Sequence, residues 1–223
     1  MKVILAPQCG SPDVMHLVDV PTPVPGPKQA LVRIAATGVN FIDVYFRTGL
    51  YRADTPVALG MEAAGTVEAA GDGVTEVAPG DRVAYCMSRG SYAEFAIVPS
   101  WQLVKLDDAV GFDTAASAML QGLTAHYLTH STFPLQPGHT ALVHAAAGGA
   151  GLLLVQMAKA RGARVIGTVS TEAKALRARA AGAHETILYT QQDFEAEVKR
   201  LTDGRGVDVV YDSVGATTFA KSL

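Results

Sequence analysis

Thr140-Ala141-Leu142-Val143-His144-Ala145-Ala146-Ala147-Gly148-Gly149-Ala150-Gly151 runs from β-branched and apolar residues into a cluster of small ones. Leu152 to Ala160 then carries a helical apolar pattern. A buried strand, a tight turn without bulky side chains and a helix is the reading of these residues. The same alternation continues through Arg164 to Val169, Glu172 to Ala181, Thr186 to Tyr189, Asp193 to Thr202 and Val207 to Ser213. Strand and helix in strict alternation predict a parallel, doubly wound sheet. Arg161-Gly162-Ala163 and Ala181-Gly182-Ala183 stand where helices must end, and their glycines read as C-caps.

Toward the N-terminus the pattern differs. Val3 to Leu5, Ala30 to Ala35, Gly65 to Ala69, Arg82 to Ala84 and Tyr92 to Val98 are short β-rich runs separated by turn signals. Pro21, Pro23, Pro25 and Pro27 mark a rigid, extended connector. Around Asp113 the spacing turns helical, with Ala116, Leu120, Leu123 and Tyr127 expected on one face of a bridging helix that ends near Pro134 and Pro137. The expected division is therefore a β-rich unit over 1–112 and a helix with the α/β unit over 113–223.

Composition limits the function classes. The 223 residues are 49% apolar and 17% charged, with 22 glycines, which suits a packed α/β protein. A net charge of -3 and no Lys/Arg-rich run give no reason to expect a nucleic-acid partner. Two cysteines, Cys9 and Cys86, cannot build a disulfide framework or a four-thiolate metal lobe and suit a reducing cytoplasm. Ala141 to Ala158 is apolar, but His144, the glycines and Gln156 speak against a membrane span.

The turn itself carries chemistry. Ala146, Gly148 and Gly151 take the spacing of the G-x-G-x-x-G dinucleotide fingerprint, with alanine in first place. Placed between strand and helix, Ala146 to Gly151 can offer backbone N–H groups and a helix N-terminus to a diphosphate; close helix–sheet packing is the competing reason for small residues. An NAD site usually has a carboxylate at the end of the second strand. Here that strand ends Gly167-Thr168-Val169-Ser170, followed by Lys174 and Arg177. Hydroxyls and cations favour the 2′-phosphate of NADPH. Glu172 is the contrary residue, read as complementing the helix dipole.

These residues, with Gly38-Val39-Asn40-Phe41-Ile42-Asp43, Arg47-Thr48-Gly49-Leu50-Tyr51, Gly60-Met61-Glu62-Ala63-Ala64-Gly65 and Val210-Tyr211-Asp212-Ser213-Val214-Gly215, resemble the medium-chain dehydrogenase/reductases, and within them the zeta-crystallin-like quinone oxidoreductases. The resemblance covers the whole chain. It implies an α/β protein with a β-rich GroES-like domain followed by a doubly wound Rossmann domain. Zinc enzymes of that superfamily have a cysteine where this chain has Asn40 and a histidine where it has Met61; neither residue here is a zinc ligand of choice, so a zinc-free reaction is implied. Glu62 is left as a structural carboxylate. Without a metal, a readily reduced acceptor such as a quinone or activated enone is the implied substrate.

By the same resemblance, Asn40, Tyr45 and Tyr51 border the nicotinamide and acceptor, and Thr124 lies near the nicotinamide ribose. Ala146, Gly148, Gly149, Ala150 and Gly151 hold the pyrophosphate, Ser170, Lys174 and Tyr189 the 2′-phosphate, and Ser213 belongs to the cofactor set. Gln121 departs from the lysine of relatives. His144, Cys86 and His126 are read as structural. A homodimer is also implied.

A full sheet of this kind has about six strands, whereas four are legible here, so the α/β unit is expected to stop short, with its fourth strand at an edge. Three readings remain open from sequence: an NADPH-dependent quinone reductase by hydride or single-electron delivery, a zinc-free enone or enoyl-thioester reductase, and a non-catalytic NADPH-binding or crystallin-like protein.

Overall fold

Short runs rich in valine and alanine, most of them ended by glycine or proline, build the first half of the chain as sheets. A computed structural model describes residues 1–223, which divide into two units, Met1–Leu120 and Gln121–Leu223.

In the first unit, β1 (Lys2–Ala6) pairs antiparallel with β2 (His16–Asp19). The central strand β3 (Gln29–Thr37) precedes helix α1 (Phe41–Thr48), and β4 (Val57–Ala58) completes a three-stranded sheet ordered β2-β1-β4. β5 (Glu62–Ala70), β6 (Arg82–Cys86), β7 (Phe95–Pro99) and β8 (Val104–Lys105) join β3 in a five-stranded antiparallel sheet ordered β7-β3-β5-β6-β8. Ala30, Val32, Val67, Val83, Tyr85 and Val98 form its core. Each fully buried valine contributes about 1.5–3 kcal/mol relative to exposure.

Helix α2 (Phe112–Tyr127) contains the division between the units and is continued by a π-helical turn, Leu128–Thr132, before Pro134. The face expected from its large side chains is corrected by the structure: Leu123 and Tyr127 are about half exposed. Ala116 of the expected face is buried, and with it Ala115 and Ala125, whose small side chains admit close packing.

In the second unit, β9 (Thr140–Val143), β10 (Arg164–Val169), β11 (Glu185–Leu188) and β12 (Val209–Tyr211) form one parallel sheet ordered β11-β10-β9-β12. Helices α3 (Gly149–Ala160), α4 (Glu172–Ala181), α5 (Phe194–Leu201) and α6 (Phe219–Ser222) follow successive strands. Alternate strand residues feed two separate cores. Val143 and Val165 pack with Val155 and Ala175, whereas Leu142, Ile166 and Ile187 pack with Phe194 and Val198. A sheet buried on both faces by helices is what the continuous apolar strands require. β9 is hydrogen-bonded on both sides, and β12 lies at the edge, paired with β9 alone. No helix is long and apolar enough to cross a membrane.

Candidate functional site

The turn after β9 is fixed by its main chain. His144 N donates to Tyr211 O at 3.0 Å, Ala146 N to Thr168 O at 3.1 Å and Gly148 N to Ala145 O at 2.8 Å. Helix α3 starts at Gly149 behind the N-cap Gly148, which brings no side-chain cap to the helix end. Its first amides therefore look for an acceptor outside the helix. Gly151 could not carry a side chain here: a Cβ would lie 2.3 Å from Ala145 O and 2.9 Å from Ala146 Cα. These features leave a bare helix N-terminus, with its partial positive charge, that fits a diphosphate.

The alanine that replaces the first fingerprint glycine has a structural counterpart. Ala146 is fully buried, and a Cβ on Gly167 of β10 would stand 2.7 Å from the Ala146 methyl. The methyl occupies space that the neighbouring strand leaves by having none. Gly149 does the same for Gln121, whose Oε1 would be 1.9 Å from an added Cβ.

At the end of β10, Thr171 caps α4 by accepting from Lys174 N at 3.3 Å, and Lys174 Nζ donates to Ser170 Oγ at 3.1 Å. Ser170 O accepts from Thr190 Oγ1 at 3.1 Å, and Tyr189 N is bonded to Val169 O, so Ser170, Lys174 and the half-exposed Tyr189 come together at two adjacent strand ends. The carboxylate of Glu172 is taken up by the guanidinium of Arg179. It thus has a partner besides the helix N-terminus considered from sequence.

A cleft of about 480 Å³ opens at the carboxyl ends of these strands, lined by His144, Ala145, Thr168, Tyr189, Val214 and Thr218 among others. Open α/β sheets bind ligands at such strand ends. His144 is buried, with Nδ1 2.9 Å from Thr168 Oγ1 and Nε2 3.2 Å from Ser222 Oγ; desolvation lowers its pKa, partly opposed by Asp212. Asp212 shapes the cleft's far wall. Its Oδ1 accepts from Val214 N and Gly215 N, and Oδ2 accepts from Thr218 Oγ1 at 2.7 Å. Burial pushes Asp212 up, but those donors and His144 outweigh it and leave the pKa lowered. Ser213 is exposed in the same turn, and Thr124 lies on α2. Thr218 escaped the sequence reading; an Asp with a Gly three residues on, as in Asp212 to Gly215, is a turn signal that points to this stretch.

In the first unit, Asn40 is the N-cap of α1. Its main-chain N–H goes to Asp43 Oδ2 at 2.9 Å, an oxygen that also accepts from Tyr92 OH at 2.8 Å. Asn40 Nδ2 donates to Glu62 Oε1 at 2.7 Å. Tyr45 and Tyr51 meet with ring centroids 5.3 Å apart, and Tyr51 stands edge-on to Phe46 at 5.6 Å. Left-handed Gly49 (φ 81°) turns the chain so that Tyr51 N reaches Tyr45 O at 3.0 Å. Arg89 lies 4.8 Å over the Phe46 ring. Met61 is buried, and burial together with the Glu62 carboxylate raises the Cys86 thiol.

Two family models match: the alcohol dehydrogenase GroES-like domain over residues 26–108 and the zinc-binding dehydrogenase model over residues 149–223. A quinone oxidoreductase of Pseudomonas aeruginosa is 48% identical over 216 residues, which cover 96% of this chain and 66% of that protein. A 2-haloacrylate reductase of Burkholderia sp. is 45% identical over 221 residues, again covering 66% of its length. The crystal structure of Escherichia coli quinone oxidoreductase complexed with NADPH superimposes with a TM-score of 0.97 at 41% identity, over 100% of this chain and 69% of that one. The chain thus spans slightly less than two thirds of the curated relatives it matches.

Proposed function

Because the chain belongs to the quinone oxidoreductase family of the medium-chain dehydrogenase/reductases, we propose that it binds NADPH and passes reducing equivalents to a quinone without a metal ion. The observation that carries this reading is the end of β10. It bears Ser170 with the ammonium of Lys174 drawn onto it, and the carboxylate that follows, Glu172, is taken up by Arg179.

In this reading the amides of Gly149, Ala150 and Gly151, with the small side of Ala146 and Gly148, receive the pyrophosphate. Ser170, Lys174 and Tyr189 hold the 2′-phosphate, an ammonium and hydroxyls meeting a dianion. Val214 and Thr218 line the adenosine cleft, Thr124 serves the nicotinamide ribose, and Ser213 adds a polar contact. Bound NADPH supplies hydride from its nicotinamide. Asn40, Tyr45 and Tyr51 orient the acceptor: the tilted Tyr45–Tyr51 pair gives a planar ring an aromatic wall, and the Tyr51 hydroxyl can donate to a quinone oxygen as charge grows on it. Asn40 and Met61 stand where zinc enzymes of the superfamily carry ligands, and an amide bonded to Glu62 and a buried thioether do not suit that ion. The residues assigned to the acceptor fall in 1–112 and those assigned to the cofactor, Asn40 apart, in 113–223, the catalytic and nucleotide-binding domains of this reading. We place the protein in the cytoplasm, as its two free cysteines suit, and as a homodimer.

The test is NADPH oxidation followed with and without a simple quinone, beside titrations with NADPH and NADH. Quinone-dependent oxidation and preference for NADPH are expected; NADPH binding without turnover would leave a nucleotide-binding protein and overturn the enzymatic reading. The likeness to a 2-haloacrylate reductase favours a second acceptor class, an activated alkene, and a panel of quinones and enones ranks the two.

A further inference from the structure

Arg89 is an exposed cation without a carboxylate partner. The ion pairs of the first unit engage Lys2, Arg33, Arg82 and Lys105, whereas Arg89 lies with Cζ 4.8 Å from the centre of the Phe46 ring. The loop that carries it is tied down at both ends. Met87 N donates to Met61 O at 2.7 Å, Gly90 N donates to Gly60 O at 2.9 Å, and Ser91 Oγ lies 2.7 Å from Thr37 Oγ1. Gly60 (φ 90°) and Gly90 (φ 105°) supply the left-handed backbone that this close pairing requires. A tethered loop and an aromatic face thus place the guanidinium, and no hydrogen bond within the chain consumes its N–H donors.

Phe46 connects this cation to the tyrosines. Its ring centroid is 5.6 Å from that of Tyr51, which meets Tyr45 at 5.3 Å. Contact therefore passes from Tyr45 through Tyr51 and Phe46 to Arg89. A guanidinium offers a fixed fork of donors that matches two oxygens of a carboxylate or sulfonate.

We propose that Arg89 is a specificity-determining residue that favours acceptors whose ring carries a carboxylate or sulfonate. The inference rests on the reading above that Tyr45 and Tyr51 orient the acceptor. A planar ring set on those tyrosines and extending over Phe46 brings such a substituent to the guanidinium. Because the loop and the Phe46 ring already hold the side chain, less ordering is left for the ligand to impose. Arg47 is committed elsewhere, its Nε donating to Gly10 O at 3.2 Å. Arg52, which follows Tyr51 and forms no ion pair, is the competing cation.

Anthraquinone-2-sulfonate and anthraquinone-2-sulfonamide share a ring system and differ in charge. In calorimetric titrations of the full chain with NADP⁺ present, the sulfonate should bind more tightly than the sulfonamide. Arg89→Gln should weaken the sulfonate by about fivefold or more and the sulfonamide by less than about twofold, the scale of a partly exposed charge pair. Raising NaCl from about 0.02 M to about 0.5 M should narrow the preference in the unmodified chain and leave the variant unmoved. Equal losses of both ligands would make Arg89 a support for Phe46 and overturn the proposal. So would the absence of any preference in the unmodified chain, or its loss in Arg52→Gln and not in Arg89→Gln. In NADPH oxidation, the ratio of kcat/KM for the two quinones should fall in Arg89→Gln likewise. Should neither quinone be turned over while the titrations still separate them through Arg89, it is the enzymatic reading that fails, and the anion preference stands.

Discussion

Lys174 Nζ reaches back to Ser170 Oγ across 3.1 Å, so a cation from the first turn of α4 sits on the hydroxyl that ends β10. If this pair reads a 2′-phosphate, Lys174→Ala weakens NADPH by roughly tenfold or more while NADH changes little, because only the former presents the dianion. Equal losses in paired titrations would refute the assignment.

The Ala146 methyl and the bare Cα of Gly167 form a complementary pair. Gly167→Ala places two methyl carbons 2.7 Å apart, and overpacking of this kind costs about 1–3 kcal/mol. Adding Ala146→Gly should recover most of the loss. Urea midpoints of the two single variants and the double variant decide it, and additive losses would contradict the pairing.

Gly151→Ala has no such partner to yield, since the added carbon meets the main chain of Ala145 and Ala146. It should lower both the melting temperature and NADPH affinity. Gly148→Ala, whose Cβ would be 3.2 Å from Ala145 O, should be milder.

Desolvation holds His144 below the ordinary histidine value of 6.5. The unfolded chain then takes up a proton that the folded one refuses. Stability from this site is full above that value and falls as pH drops from it through the depressed folded value. His144→Asn, which still bonds Thr168 but does not titrate, should flatten the part of the urea-midpoint slope between about pH 7.5 and 5.5 that His144 supplies. An unchanged slope would mean that other groups carry it.

Elemental analysis of the purified chain should find well under one equivalent of zinc, and chelation should leave NADPH affinity unchanged. A full equivalent surviving chelation would overturn the reading of Asn40 and Met61.

Much of the α/β unit is legible in its residues. Arg164–Val169 and Glu172–Ala181 have the bounds their patterns predict, because β-branched residues, Gly162 and the Thr171 cap all speak locally. Helix α3 starts at Gly149, earlier than Leu152, since glycines carry no helical signal even where the strand behind them dictates the turn. Helix α1 was missed although Asn40 and Asp43 begin it and Gly49 ends it, because its β-branched and aromatic residues mask the caps. Strands β2, β4 and β8 exist only through their partners. The contacts of Glu62 with Asn40 and Leu120 span 22 and 58 residues of chain, and no local pattern announces them.

Strand β9, bonded on both sides and buried at every residue, is where the glycine turn begins. Amides so placed exchange with solvent only when the unit opens as a whole. The cradle for a diphosphate is thus mounted on a strand buried along its whole length, and a ligand arriving there loses little affinity to ordering the protein.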